Sequence, residues 1–370
     1  MSSLRIRWRN LPALSLLQDP ALRAHWDALN AARRDLPFLS SRAIGTALST
    51  LGQGTERLLI GSQGENVVAM FVLVPQDRFR WQTFQPSQVP LGAWVAGAHL
   101  RLQELARSLL HGPLGFCLGL SVTQVDPHVA PRTPDTADSQ HSDYIDTGWI
   151  DLKGSFDDYW GARGKNLRQN MRKQRAKLAA DGVKLTLQVL REHGDMGPAV
   201  ARYGRIESAG WKAQQGTAIH PDNAQGRYYR ELLEQASLSG EAVVYQYLFN
   251  DQVVAMNLCL SRQGVLVVLK TTYDESFPSL SPAFLLREAE LQELFAQGQI
   301  HRLEYFGRLM DWHTKWTEHK RGIYHLTQYR WPLLKRLVQA RRRRAQAEAE
   351  AEADTATPSA SFATTISPAD

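Results

Sequence analysis

A base, two acids and a helix start fall close together in the stretch LKTTYDESFPSLSPAFLL, residues 269–286. Lys270 interrupts the apolar run VLVVL at what the pattern predicts to be a strand end. A charge there is unfavourable unless it is paired or turned into a cleft. It could hold a phosphate or a substrate carboxylate, or it could be a paired edge lysine. Asp274 and Glu275 follow. Making an amide from an ammonium group requires removal of a proton, and a positioned carboxylate is the natural general base. Asp274 is the first candidate and Glu304, on a later strand, the second; each could equally be a solvated or capping acid. Ser281-Pro282 predicts a helix start, with Ser as N-cap, Pro at the first helical position and Ala283 next. The free N–H groups and dipole of such an end suit a phosphate. An ordinary strand–loop–helix connection would be written the same way.

The stretch DWHTKWTEHKR, residues 311–321, sets two Trp, two His, two Lys and one Arg side by side. Aromatic walls with convergent cations suit a polar or anionic substrate. Trp312, Lys315 and Trp316 are therefore candidate substrate contacts, with Tyr273 and Tyr305 from the neighbouring strand ends. His313 could act as base or proton shuttle, because imidazole titrates near neutral pH. A metal is not expected: His313 and His319 lack the i,i+4 spacing of a helical ligand pair, no Cys is near, and Lys315 stands between them with Lys320 and Arg321 directly after. GWKAQQGTAI, residues 210–219, adds Trp211 and Lys212 in a Gly-bounded loop, as cleft wall or as packing. No G-x-S-x-G elbow occurs, so direct transfer without a covalent enzyme intermediate is expected.

The densest charge run, RGKNLRQNMRKQRAKL (residues 163–178), has seven bases and no acid. Helical spacing puts Lys165, Arg168, Arg172 and Arg175 on one face and Leu167, Met171 and Leu178 on a neighbouring one. Such a helix could hold nucleic acid, steer an anionic ligand, or be a solvated face.

These candidates must be positioned by a fold, and the chain writes one pattern twice. GENVVAMFVLVP (residues 64–75) and NDQVVAMNLCLS (residues 250–261) share VVAM, each after a turn-forming group and before apolar β-prone sequence. Around the first lie a helix in DPALRAHWDALNAARRD, two strands in RLLIGSQGENVVAMFVLVP, further strand in RWQTFQPSQVPLGAWV, a helix in HLRLQELARSLLHGP and a strand in LGFCLGLSVTQV. A loop over Asp126–Asp143 then punctuates the chain. Around the second lie a helix ending near Gly240, three strands over 242–273, a helix in PAFLLREAELQELFAQG and a strand in HRLEYFG. Helix, antiparallel meander, helix, strand is a mixed α/β unit of the α+β kind, and it occurs twice.

At 370 residues, 43% hydrophobic and 22% charged, the chain is long enough for two globular domains. Apolar runs fall far short of the roughly 20 residues that span a bilayer, and the N-terminus lacks a signal-peptide core. The two cysteines, Cys117 and Cys259, sit in strand-like runs and suit free thiols in a reducing compartment, so a cytoplasmic location is expected. The net charge of +6 is uneven: residues 345–370 carry five acids and no base. This low-complexity tail has too few large apolar groups to build a core. Before it, WPLLKRLVQARRRR predicts an amphipathic basic helix that could pack on its own domain or rest on an anionic membrane surface. The expected division is 1–150, 151–335 (basic linker helix 163–180, donor site 269–290) and 336–370, the end of the basic helix and a disordered acidic tail.

The second half resembles the GNAT acyltransferase superfamily. The whole chain is similar to its tandem-domain members, among them CelD-like acetyltransferases of cellulose biosynthesis and Fem-type aminoacyltransferases. The resemblance rests on residues 210–219, 269–286 and 304–330 and covers roughly 20–335. It implies two tandem GNAT-like domains of mainly antiparallel sheet flanked by helices. It also implies acetyl-CoA or a longer acyl-CoA as donor, lying between two splayed strands beside Lys270, Ser281, Pro282 and Ala283. The acceptor would be a small molecule or a saccharide of the cell envelope or an exopolysaccharide; a Fem-type relative would use aminoacyl-tRNA instead. The Gly-rich Q/R-x-x-G-x-G/A loop of single-domain members occurs in neither half. The first VVAM copy is followed by PQDRFRWQTFQPSQVPLG, without a comparable acid cluster, so the second copy is expected to carry the chemistry.

Overall fold

The structure, a computed structural model, describes residues 6–209, 219–220 and 223–356. The first half supplies β1 (Arg7–Pro12), α1 (Ser15–Gln18), α2 (Pro20–Ala31), α3 (Ser41–Leu51), β2 (Arg57–Gln63), β3 (Asn66–Pro75), β4 (Arg80–Thr83), β5 (Trp94–Ala96), α4 (Leu102–His111), β6 (Gly119–Val125) and β7 (Ser139–Asp151). The second supplies α5 (Phe156–Gly161), α6 (Lys165–Ala180), β8 (Leu185–Leu190), α7 (His193–Ala209), α8 (Ala224–Ser237), β9 (Ala242–Phe249), β10 (Gln252–Arg262), β11 (Val265–Tyr273), α9 (Pro282–Gln297), β12 (Arg302–Glu304), α10 (Asp311–Thr314), β13 (Lys320–Tyr329) and α11 (Pro332–Ala356). The fold is α+β, one large and mostly antiparallel sheet flanked by helices.

The duplication is visible in the hydrogen bonding. β2, β3 and β4 form an antiparallel meander, α4 crosses over, and β6 returns parallel to β4. β9, β10 and β11 repeat the meander, α9 crosses over, and β12 returns parallel to β11. The VVAM tetrapeptides occupy the same place, at the start of β3 and of β10. Both carry a bulge at their second valine. Val67 and Ala69 pair with Ser62 and Gly61, leaving Val68 unopposed. Val253 and Ala255 pair with Leu248 and Tyr247, leaving Val254 unopposed. A bulge adds one residue to one strand and bends it, so the shared sequence encodes the same local bend twice.

The last strand of each half crosses into the other. β13 lies between β6 and β7, and β7 lies between β13 and β12. β7 begins inside the segment expected to be loop up to Asp143. Its Ser, Asp and Thr content looks like loop, but central strands on both sides satisfy its backbone, and polar His141 and Thr147 are buried among them. The C-terminal helix also exceeds its expected end at Arg344, because the Ala/Glu repeat that follows has high helix propensity. The segment after Ala356 lies outside the described residues.

Two cores result. The larger one fills the first half and continues under α7 and α8; the other lies between α6, α9 and the sheet of the second half. Every residue of β9 is buried, with α8 and α9 both packed against it. Cys117 and Cys259 are buried free thiols. No described helix is long and apolar enough to cross a membrane.

Candidate active site

β11 and β12 pair only through Val265–Val267 and Arg302–Glu304. Beyond that point they part. β11 runs on to Tyr273, while the chain after β12 turns to β7, where Tyr305 N–H donates to Gly148 O at 3.2 Å. The gap opens into a cavity of about 800 Å³, within the usual range for small-molecule sites. Thr271–Tyr273 of β11 form one wall, and Ser281–Phe284 with Arg287 at the start of α9 form another. Met310, Trp312 and Trp316 face them, and Ile206 and Glu207 of α7 close the side.

The equivalent gap in the first half is stitched shut. The Thr83 and Thr123 hydroxyls, on β4 and β6, are 2.7 Å apart, and Thr123 N–H donates to Thr83 Oγ1 at 2.9 Å. Gly92 closes over them: a Cβ there would lie 2.5 Å from the Thr83 hydroxyl.

The cavity gathers Tyr273, Ser281, Pro282, Ala283, Trp312 and Trp316 from the expected set. Ser281 does precede the helix, but its role differs from an ordinary N-cap. Its backbone is left-handed (φ 45°, ψ 57°) and its side chain makes no capping bond; instead Oγ accepts from Gln174 Nε2 at 3.1 Å. The residue before a proline is steered away from right-handed helical backbone, and a non-glycine left-handed residue stores of order 1 kcal/mol or more. Lys315 is exposed, its Nζ 5.3 Å from the Phe284 ring at the cavity wall. Tyr305 is buried with Arg287 5.1 Å over its ring. Trp211 and Lys212 lie outside the described residues.

The acid–base candidates are placed differently. Asp274 is not among the cavity-lining residues. Its Oδ1 accepts from Ser276 N–H (2.9 Å) and Oγ (2.6 Å), and its Oδ2 from Gln252 Nε2 (3.1 Å), a set that ties a turn. Glu304 is buried in a charge network, with Arg321 Nη1 at 2.8 Å and Arg302 and Arg34 at 3.8 and 3.9 Å. Burial raises its carboxyl above the ordinary value against the pull of Arg321. Lys270 pairs with Glu207 at 3.5 Å and sits 5.9 Å over Tyr229.

His313 is buried, and its Nδ1 accepts from Met310 N–H at 2.8 Å. Its neutral ring therefore carries its proton on Nε2 and has no lone pair left for a substrate proton. Burial, then Arg287, lowers its pKa from 6.5 to about 4. Below pH 6.5 the unfolded chain takes up a proton that folded His313 refuses, so stability falls as pH drops toward 4. His313→Gln is expected to remove about 2–3 kcal/mol of that loss near pH 4 and none at pH 8, read by urea unfolding at both pH values.

Two cavity residues escaped the sequence reading. Glu207 has a side chain only 1% exposed; its Oε2 accepts from Ile219 N–H at 2.8 Å, and Oε1 lies 3.5 Å from Lys270 Nζ. Its signal was an acid continuing the apolar stripe Met196, Val200, Tyr203 of α7. Arg287 is 3% exposed and held by Glu290 at 2.5 Å, an i,i+3 pair inside the apolar face of α9. Among the described residues, Arg287 Nε and Trp316 Nε1 are buried donors without a hydrogen-bond acceptor. Orphaned buried donors on a cavity wall suit a ligand carrying acceptor oxygens.

Of the basic row on α6, Lys165, Arg168 and Arg172 are exposed, but Arg175 turns inward to Glu288 at 3.2 Å. Among the described residues, no group of three or more His, Cys, Asp or Glu is gathered as metal ligands would be.

Residues 165–312, which hold the lining named above except Trp316, match the acetyltransferase (GNAT) domain family, so the chain carries a GNAT-type domain. Among solved structures, a conserved protein of unknown function from Bacteroides thetaiotaomicron shares the fold, at 9% identity over 88% of this chain and 100% of that one (TM-score 0.52). Weaker likenesses include the C-terminal DUF2156 domain of a protein described as a lysylphosphatidylglycerol synthetase from Agrobacterium fabrum (15% identity, 76% and 87% covered, TM-score 0.48). Another is a tandem GNAT protein from the clavulanic acid biosynthesis pathway (11% identity, 87% and 98% covered, TM-score 0.44). No curated protein is significantly similar to the chain.

Proposed function

We propose that the protein is an acyltransferase that holds acetyl-CoA or a longer acyl-CoA between β11 and β12 and passes the acyl group directly to an amine. The reading divides the chain near residue 150 into an N-terminal unit that closes the cleft and a C-terminal unit that carries it. The parted strands beside the start of α9 are the observation that carries this proposal: they leave a slot for a narrow thioester chain only in the second half. The orphaned donors Arg287 Nε and Trp316 Nε1 suit the amide and thioester carbonyls of such a chain. In the transfer, the amine nitrogen attacks the thioester carbon and its proton goes to Glu207. The C–N bond forms, the C–S bond breaks, and the thiolate leaves with the electron pair. Positioning and hydrogen bonds to the oxyanion supply most of the acceleration. A small amine or a cell-envelope or exopolysaccharide saccharide fits the aromatic wall of Trp312 and Trp316, with hydroxyl transfer as the oxygen counterpart.

Calorimetric titration with acetyl-CoA and a long-chain acyl-CoA tests the donor. Saturable binding is expected, weakened at least about tenfold by Ala283→Trp, which fills the slot. No binding of either thioester overturns the acyl-CoA reading. An aminoacyl-tRNA donor is the second reading, favoured by the exposed Lys165, Arg168 and Arg172 on a helix joined to the cavity rim through Gln174 and Ser281. It requires tRNA binding that falls steeply with salt.

A further inference from the structure

Eleven large apolar side chains are exposed on the described surface; three of them, Phe79, Phe116 and Trp331, meet at one corner, and two more, Leu333 and Leu337, lie on the helix that starts directly after Trp331. The three rings form a chain, Phe79 to Phe116 and Phe116 to Trp331 both at 6.1 Å between centroids. Phe116 is 63% exposed and Trp331 48%. Arg330 pins this cluster by donating to the carbonyls of Cys117, Leu110 and Gly115, so the rings are held outward by a fixed backbone.

α11 extends the corner. Its inner face is secured: Lys335 Nζ donates to the carbonyls of Thr136 (2.8 Å) and Ser139 (2.7 Å), with half-buried Leu334 and Val338 alongside. Leu333 and Leu337, one turn apart, therefore point away from the protein at 63% and 53% exposure. The same outward row continues with Arg341 and Arg344, both exposed, and Arg336 flanks it. Arg78 lies beside the rings, 5.3 Å over Phe79. The nearby acid Asp77 is neutralised by Arg80 at 2.7 Å. Between Pro332 and Arg344 the helix has six bases and no acid.

We infer that this corner docks on an anionic membrane surface, with Trp331 and the two leucines entering the headgroup region and the arginines meeting lipid phosphates. Protruding apolar groups beside a basic helix face match an interface between hydrocarbon and negative charge. Trp favours that depth because its ring is apolar with one polar edge. A second copy of the chain is the poorer occupant, since a two-fold contact through this face would set the arginine rows of both copies against each other.

The full-length protein is sedimented with vesicles of phosphatidylcholine alone and of phosphatidylcholine mixed with phosphatidylglycerol, while Trp fluorescence is followed. Binding to the mixed vesicles only, weakened by salt and accompanied by a blue shift, is expected. The double substitution Leu333→Ser/Leu337→Ser should weaken it about tenfold or more, and Arg341→Gln/Arg344→Gln should abolish the preference for phosphatidylglycerol. Both pairs are exposed, so the thermal midpoint and the acyl-CoA titration should match the parent. That separates this inference from the donor assignment. Failure to bind mixed vesicles overturns the inference. So does concentration-dependent dimerisation that disappears with the leucine substitutions.

Discussion

Glu207→Gln is expected to lower kcat/KM for acyl transfer by about 10²–10³-fold, with acyl-CoA affinity little changed. Glutamine keeps the shape of the side chain and still accepts from Ile219 N–H, which glutamate does at 2.8 Å. What it removes is the capacity to take a proton at the cavity wall. The effect should therefore fall on kcat, and the acid limb of the pH–rate profile should disappear. Lys270, 3.5 Å away, orients the carboxylate, so Lys270→Met should reduce the rate less than Glu207→Gln. Asp274→Ala is the contrast. Asp274 does not line the cavity and its oxygens tie a turn through Ser276 and Gln252, so its loss should lower stability by about 1 kcal/mol and leave the rate near that of the parent. Full activity in Glu207→Gln together with a collapse in Asp274→Ala would reverse the assignment. Release of free thiol from acyl-CoA, with the amine that turns over fastest, is the measurement.

Much of the fold was legible because it rests on local pattern. The VVAM repeat announced two equivalent hairpins, and the alternation of apolar runs with Gly-bounded turns announced the meanders. The position of α9 was written in Ser281-Pro282. What escaped depends on contacts distant in sequence. β7 looks like a loop until β12 and β13 are placed on either side of it, and nothing in either half says that their last strands exchange. Asp274 and Glu207 illustrate the same limit. Asp274 follows a strand and Glu207 lies near the end of a helix. Only tertiary placement reveals that one ties a turn while the other, a residue of α7 remote from the predicted site, faces the cavity. Arg287 and Glu290 offered a sharper clue: a base and an acid inside an otherwise apolar helix face can persist only if they satisfy each other or a ligand.

The exchange of strands places one buried charge cluster at the centre of the molecule, and Arg321→Met is expected to remove about 3–5 kcal/mol of stability there. Arg321 of β13 donates from Nε to both Asp126 oxygens at 3.0 Å, just past the end of β6, and from Nη1 to Glu304 of β12 at 2.8 Å. All three side chains are at most 4% exposed. Methionine fills much of the volume but leaves two carboxylates buried without their main counter-charge. Arg302 and Arg34, at 3.8 and 3.9 Å from Glu304, soften the loss. Burial already holds the Glu304 carboxyl above its ordinary value against the pull of Arg321; without that pull the deficit should shrink as pH falls and Glu304 takes up a proton. Adding Asp126→Asn and Glu304→Gln to Arg321→Met should restore most of the stability, because a neutral set no longer needs the guanidinium. Urea unfolding across pH reads all of this. The same series decides what Glu304 does. If it serves only the seam between the exchanged strands, Glu304→Gln with Arg321 intact keeps its kcat in protein that remains folded. A Glu304 that took the substrate proton would instead lose about 10²-fold or more without any matching change in the unfolding midpoint.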